Sequence, residues 1–204
     1  MRTVVFIGLV GLSASHLAAQ SSPAEEKPLA DTCTLLVRLD LNVPAPDLSL
    51  ARVADEVRAI WTPHLAIRVT DMGPSTPCAD EIRVLIDGVS AHRGDALGWI
   101  HFVDGQPSHD LIVSLARARR LVNEAVFMGR APSEWPRDTY KRSLSQVIGR
   151  ATAHEIGHYV LRTPAHASAG LMRPRLNAED ALRPRGARFT LACSPGSSRC
   201  KESQ

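Results

Sequence analysis

The spacing of apolar residues predicts a β-α-β-β-β-β order for the first two thirds of the folded chain. The segment Thr34–Leu41 is rich in Leu and Val and alternates apolar and polar residues, which is typical of a strand. Apolar residues recur at helical spacing from Leu48 to Trp61, which predicts a helix. Four further short strands are predicted, at Leu65–Val69, Glu81–Ile86, Ala96–Val103 and Leu111–Leu115.

A long helix is predicted after these strands. Helical spacing returns beyond Ala116 and is interrupted by a loop at 129–136. It then runs from Asp138 to about Arg162, with Asp138 or Thr139 as the N-cap. Pro164 disfavours α conformation at the residue before it, so the helix should end there. This pattern predicts a single α/β domain with one dominant helix.

Composition narrows the class of protein further. The chain has 204 residues, of which 44% are apolar and 22% charged, as expected of a folded domain. The net charge is only +3 and aromatic residues make up 4%, so neither a basic footprint nor a base-stacking platform for nucleic acid is predicted. Six basic residues could form a surface for anionic partners or simply a solvated helix face: Arg117, Arg119, Arg120, Arg137, Lys141 and Arg142.

The first residues predict export. Arg2 is followed by an apolar run, Val4–Leu12, and by Leu17-Ala18-Ala19, which together are typical of a cleavable signal peptide over 1–19. The polar segment 20–31 is expected to be flexible, which leaves 32–204 as the folded domain. No stretch reaches roughly 18 apolar residues, so no membrane span is expected after cleavage. We expect a secreted or periplasmic protein, and a signal peptide does not distinguish the two.

The cysteines agree with export. An even number of four is expected to form two disulfides in an oxidising compartment. Three connectivities are open, and we favour Cys33 with Cys78 and Cys193 with Cys200, because the second pair closes a short loop.

The long helix carries a chemical motif, His154-Glu155-Ile156-Gly157-His158, which is the HExxH signature. Residues four apart lie one turn above each other, so the two imidazoles can bind one ion. Zn²⁺ accepts such nitrogen ligands, and a catalytic site needs three protein ligands with one position left for water. Glu155 lies beside the ligand face, where a general base would take a proton from water.

With His166 and Gly170-Leu171-Met172 added, the sequence resembles the metzincin clan of zinc metallopeptidases. The resemblance implies zinc ligation by His154, His158 and His166, and it implies a catalytic role for Glu155. It also implies that Met172 forms a structural Met-turn beneath the metal.

The resemblance extends to architecture, since metzincins place a strand, a helix and a mostly parallel sheet before the active-site helix. The fold class expected is therefore α/β, of the α+β zincin-like type, with a mixed, mostly parallel twisted sheet. An edge strand above the cleft would bind the substrate backbone, and Leu97–Phe102 is the candidate.

The sequence departs from the clan pattern HExxHxxGxxH at two positions. Leu161 stands where the glycine is expected, and Pro164 stands where the third histidine is expected. His166 comes two residues later, and Glu179 is a rival third ligand at a distance that resembles glutamate-liganded zincins. We favour His166, because Gly170-Leu171-Met172 would otherwise have no role.

These features predict an exported zinc metalloendopeptidase that acts on a peptide or protein substrate. A catalytically inactive zinc-binding scaffold that binds a protein partner is the alternative, suggested by the irregular turn from Leu161 to His166. A third hypothesis, a structural helix without metal, predicts no stoichiometric zinc. The substrate and the oligomeric state are left open by the sequence.

Overall fold

Five strands form one mixed sheet. The computed structural model describes residues 33–71, 77–88, 96–125, 129–183, 189 and 191. The strands are β1 (Leu35–Leu41), β2 (Ile67–Thr70), β3 (Asp80–Asp87), β4 (Gly98–Val103) and β5 (Gln106–Ser114). Their order across the sheet is β2-β1-β3-β5-β4. All neighbouring strands are parallel except β4, which is antiparallel to β5 and lies at the end of the sheet.

Four helices accompany the sheet. They are α1 (Leu50–Trp61), α2 (Leu115–Asn123), α3 (Arg137–Leu161) and α4 (Ala178–Leu182), and a 3₁₀ turn spans Pro132–Glu134. Ser49 and Ser114 begin α1 and α2 by accepting backbone N–H groups two or three residues into each helix. This observed order confirms the predicted α/β class and the mostly parallel sheet.

The predicted N-cap of the long helix is wrong. Helix α3 begins after Pro136, which makes no side-chain cap, and neither Asp138 nor Thr139 is the capping residue. Asp138 instead lies in the first turn, where a carboxylate interacts favourably with the helix dipole. It also accepts hydrogen bonds from Arg52 and Arg142.

The α3 helix packs against strands β4 and β5 and against helices α1 and α2. The Trp61 indole of α1 donates a hydrogen bond of 3.1 Å to the Ala153 carbonyl of α3. A Cβ at Gly149 would lie only 2.6 Å from the Glu56 side chain, so the glycine allows the two helices to approach closely. Because α3 is enclosed in this way, the motif it carries has a fixed position in the core.

A disulfide joins Cys33 to Cys78, which confirms one predicted pairing. The bond links the residues just before β1 and β3 across a sequence separation of 45. A crosslink over a loop of that length stabilises the folded state by about 4 kcal/mol in the chain-entropy account. The second predicted pair, Cys193 with Cys200, lies outside the described residues.

Residues Asp31–Gln204 form one compact unit. The predicted signal peptide, 1–19, and the predicted flexible segment, 20–31, lie outside the described residues. Of the helices in the described part of the chain, none combines the length and the apolar character that crossing a bilayer requires.

Candidate metal centre

Three histidines converge at the C-terminal end of α3. His154 and His158 lie one turn apart on the helix, and their Nε2 atoms are 3.1 Å apart. His166 comes from the loop after the helix, and ligand atoms of all three residues lie within 4.8 Å of one another. The His166 ring stacks on that of His154 with a centroid distance of 5.2 Å. The structure therefore brings together the three histidines that the sequence singles out.

Backbone carbonyl groups orient the two helix histidines. His154 Nδ1 lies 2.8 Å from the Leu171 carbonyl oxygen, and His158 Nδ1 lies 2.7 Å from the Thr163 carbonyl oxygen. A carbonyl can only accept, so each Nδ1 carries the proton and each Nε2 presents a lone pair. Two lone pairs facing each other at 3.1 Å repel unless a cation lies between them. The donor geometry thus fits a metal ion bound through Nε2.

Protonation favours the same conclusion. Burial lowers the pKa of His154 to about 4, and it also lowers the pKa of His158 and His166. The three imidazoles are therefore neutral at pH 7, which is the form that ligates metal. Three neutral imidazoles suit Zn²⁺ among the divalent metals, although the same ligands also bind Cu, Ni and Fe.

The end of α3 explains how a chain without the expected glycine still reaches His166. Leu161 is still helical, and the left-handed residue is Arg162, one position later, with φ 52° and ψ 41°. The N–H groups of Arg162 and Thr163 donate to the carbonyls of Tyr159 and His158, which is the Schellman arrangement. The helix is thus extended by one residue before it reverses, and the loop that follows returns His166 to the metal centre.

The Gly170-Leu171-Met172 segment lies directly beneath the histidines. The Ala167 N–H donates a hydrogen bond of 2.8 Å to the Met172 carbonyl, which closes a tight loop. Gly170 lies within this loop and has a φ of 75°. The Leu171 carbonyl orients His154, as described above. The Met172 side chain is buried against Gly157, where a Cβ would lie 2.2 Å from Sδ. Leu171 and Met172 therefore both contact the helix turn that carries His154 and His158.

Glu155 is buried next to the edge strand. Burial raises the pKa of its carboxyl to about 8. A Cβ at Gly98 of β4 would lie 2.9 Å from both Cγ and Oε1 of Glu155. The missing side chain at Gly98 therefore provides the space that the Glu155 carboxylate occupies between α3 and β4.

A cleft of about 1180 Å³ opens above these residues. Residues 96–102, in β4 and just before it, line the cleft, and so does the segment 173–177. His154, Glu155, His158 and His166 all line the cleft. The three candidate ligands and the candidate base therefore face a space large enough for an extended peptide.

The rival third ligand lies elsewhere. Glu179 is on α4, where its exposed carboxylate forms an ion pair with Arg183 rather than approaching the histidines. Of the two candidates for the third ligand, His166 lies with His154 and His158, and Glu179 does not.

Four of the six basic residues differ in their surroundings. Arg119 pairs with Asp47 at 2.6 Å, and Arg142 pairs with Asp138 at 3.1 Å. Arg117 and Arg120 line the cleft instead. Part of this basic set therefore belongs to the candidate site and part to the solvated surface.

Several residues of the site carry no signal in the sequence. The carbonyl groups of Thr163 and Leu171 act through the backbone, and Gly98 acts through the absence of a side chain. Of these residues, only Gly98 lies in a segment that the sequence associates with the cleft, the predicted edge strand Leu97–Phe102. Comparison of the chain with family models, with curated proteins and with solved structures finds no match.

Proposed function

We propose that this protein is an exported zinc metalloendopeptidase of the metzincin type. The observation that carries the proposal is the arrangement of three converging neutral histidines beside a buried glutamate, all facing a cleft with an edge strand along one wall. The sheet order and the tight turn beneath the histidines agree with the resemblance to that clan.

The proposed substrate is an extended peptide that pairs with β4. This strand is the last of the described sheet and lines the cleft, so an extended backbone can add to it as a further strand. Such pairing holds the peptide by its main chain and places one peptide bond beside Gly98. Because Gly98 contacts Glu155, the held bond lies next to the carboxylate.

Glu155 acts as the general base in this proposal. Zinc bound by the three imidazoles would polarise the scissile carbonyl and make water more acidic. The Glu155 carboxylate takes the proton from the attacking water and then donates it to the amine that leaves. Its burial excludes competing solvent, and a neighbouring cation opposes the pKa increase that burial causes, which favours the carboxylate needed as a base.

The disulfide supports export as the setting. Disulfides persist in oxidising compartments and are rare in the cytosol. The Cys33–Cys78 bond therefore fits a secreted or periplasmic location, in agreement with the signal peptide that the sequence predicts.

The test combines metal analysis with hydrolysis of a peptide mixture. For Glu155→Ala we expect one zinc per chain, as in the wild type, and a loss of hydrolysis of about 10²- to 10⁴-fold or more, because only the base is removed. His166→Ala should weaken zinc binding because it removes a ligand. Glu179→Ala is the matched control and should retain both zinc and hydrolysis, because its carboxylate lies at Arg183.

Three results would contradict the proposal. Hydrolysis retained by Glu155→Ala would remove the glutamate from the mechanism. A zinc-loaded wild type that cleaves no peptide would leave the metal-binding scaffold as the better function, and a wild type that binds no zinc would leave only a structural helix.

A further inference from the structure

The cleft that contains the candidate metal centre is lined by more positively charged than negatively charged side chains. We propose that it selects an anionic side chain at the substrate residue that follows the scissile bond, an inference that rests on the proposed peptidase function. The charged side chains among the described lining residues are five arginines and two glutamates: Arg117, Arg120, Arg150, Arg173, Arg175, Glu124 and Glu155.

Two of the arginines are neutralised by carboxylates. Arg150 donates to Glu56 at 2.9 Å, and Arg173 donates to Asp180 at 3.1 Å. Arg120 and Arg175, in contrast, are exposed and form no ion pair within the described part of the chain. These two guanidinium groups are therefore available to a carboxylate that enters the cleft.

We take the substrate to pair antiparallel with β4, and the topology then sets its direction relative to α2. Ser114, the last residue of β5, donates its N–H to the Leu97 carbonyl, and α2 begins at Leu115. Helix α2 therefore starts at the Leu97 end of the edge strand. A peptide that pairs antiparallel with β4 runs from Phe102 towards Leu97. In the proposed complex the scissile bond of the substrate lies beside Gly98 and Glu155. The substrate residue that follows this bond therefore extends towards α2, which carries Arg120.

A buried arginine binds the chain that follows the 173–177 segment. Arg150 is 1% exposed and donates to the carbonyl groups of Asp180, Ala181 and Arg183, at 2.7 to 3.0 Å. The Phe189 ring lies over its guanidinium group at 4.0 Å. Arg150 precedes His154 by one helical turn, so it anchors the residues around α4 to the same helix as the candidate metal ligands. The ion pair of Arg173 with Asp180 joins the start of the 173–177 segment to this anchored part.

The negative charge of Glu124 opposes the positive charge of the arginines that line the cleft. It lies at the C-cap of α2 and also lines the cleft. One exposed carboxylate cannot offset both Arg120 and Arg175, and the charge of Glu155 would be offset by the zinc ion of the proposed function. The balance therefore favours a substrate carboxylate over an uncharged side chain of the same shape.

The experiment compares two peptides that differ only in Asp or Asn after the scissile bond. The bond is first located by mass spectrometry of a digested peptide mixture. We expect the zinc-loaded wild type to prefer the Asp peptide by about 10- to 100-fold in kcat/KM, as for a charge-assisted contact, with a smaller preference at high salt. The double variant Arg120→Ala/Arg175→Ala should reduce the ratio to about one.

Two further variants separate charge from folding. Arg142→Ala removes an exposed arginine outside the cleft, so it should retain the full preference. Arg120→Lys/Arg175→Lys keeps the positive charge and should retain most of the preference, whereas a fold defect at these positions would reduce it. Equal cleavage of the Asp and Asn peptides by the wild type would overturn the inference and leave the peptidase proposal intact.

A binding measurement separates the two proposals. In zinc-loaded Glu155→Ala, fluorescence anisotropy should give a Kd at least tenfold lower for the Asp peptide than for the Asn peptide. Equal or absent binding of the two peptides would overturn the inference. If the wild type hydrolyses no peptide, the binding comparison uses an extended peptide with a single central Asp and its Asn counterpart; a tenfold ratio in favour of Asp then keeps the anionic selectivity, and only the peptidase proposal fails.

Discussion

Gly157 stands between the two helix histidines, and its missing side chain leaves the space that Met172 fills. A Cβ at this position would lie 2.2 Å from Sδ and 3.1 Å from Cε of Met172. A glycine inside a helix costs about 1 kcal/mol relative to alanine. The contact with Met172 offsets that cost, because it fixes the support beneath His154 and His158.

Gly157→Ala should therefore destabilise the protein by about 1–3 kcal/mol and weaken zinc binding, since Met172 has to move. The same change in a Met172→Ala background should be neutral or stabilising, because the clashing sulfur is gone and alanine favours the helix. Chemical denaturation of the four members of this double-mutant cycle measures the coupling. Additive effects of the two substitutions would show that the contact is not the cause.

At the scale of elements, the end of α3 decides where the third ligand can lie. The helix continues through Leu161 and reverses at Arg162, which takes a backbone conformation that L residues rarely adopt. The surrounding hydrogen bonds of the Schellman arrangement hold it there. The chain thus achieves the reversal without a glycine, at a cost in backbone strain.

Arg162→Gly should consequently stabilise the protein by about 0.5–1 kcal/mol and leave zinc content unchanged, because glycine adopts this conformation without strain. Thermal unfolding with metal analysis measures both quantities. Asp104→Gly is the matched control, since Asp104 has φ 51° in the β4–β5 turn and should give a similar gain away from the metal centre. Loss of zinc from Arg162→Gly alone would show that the arginine side chain is itself needed.

The elements that the sequence predicted well are those with a buried apolar face. Alternation or helical spacing located β1, β3, α1 and α3 to within about two residues at each end. Strand β5 was predicted only over its apolar half and in fact begins at Gln106, because its first residues are polar and pair with β4 in a hairpin. Backbone pairing of exposed polar residues leaves no periodic signal.

At the scale of the whole molecule, local sequence patterns predicted the site residues but not the contacts between residues that are far apart in the sequence. His154, Glu155 and His158 were predicted from spacing along one helix, and His166 from the Gly170-Leu171-Met172 segment. Their convergence is observed, and their roles as ligands and base stay predictions. The contacts of Gly98 with Glu155 and of Arg150 with Glu56 join residues far apart in the sequence. Such contacts depend on the tertiary fold, so no local pattern could predict them.

The stability of the metal-free molecule should depend on pH through Glu155. Burial raises the pKa of this carboxyl to about 8, so between pH 6.5 and 8 the folded state holds a proton that the unfolded state has released. Stability should therefore fall by about 2 kcal/mol as the pH rises across this range. The three histidines have lowered pKa values in the folded state, so below pH 6.5 the unfolded state binds protons more readily at these residues. Their contribution to stability therefore decreases as the pH falls below 6.5.

Urea denaturation of metal-free protein at several pH values measures this slope. Glu155→Gln is the control and should lose the decrease between pH 6.5 and 8, because glutamine does not titrate. Zinc should also reduce the decrease in the wild type, since a nearby cation favours the carboxylate. A metal-free wild type as stable at pH 8 as at pH 6.5 would show that Glu155 is ionised in the folded state.

The crosslink between Cys33 and Cys78 also affects what a cut in the chain can do. It encloses β1, α1 and β2 in one covalent ring. A single cleavage anywhere between the two cysteines opens this ring but leaves both fragments joined. An endopeptidase of the kind proposed would be exposed to cutting by copies of itself, and loops are the usual places for such nicks. A molecule nicked between β1 and β3 should therefore migrate as one chain without reductant and as two with it, and the fragments should stay together in the folded state.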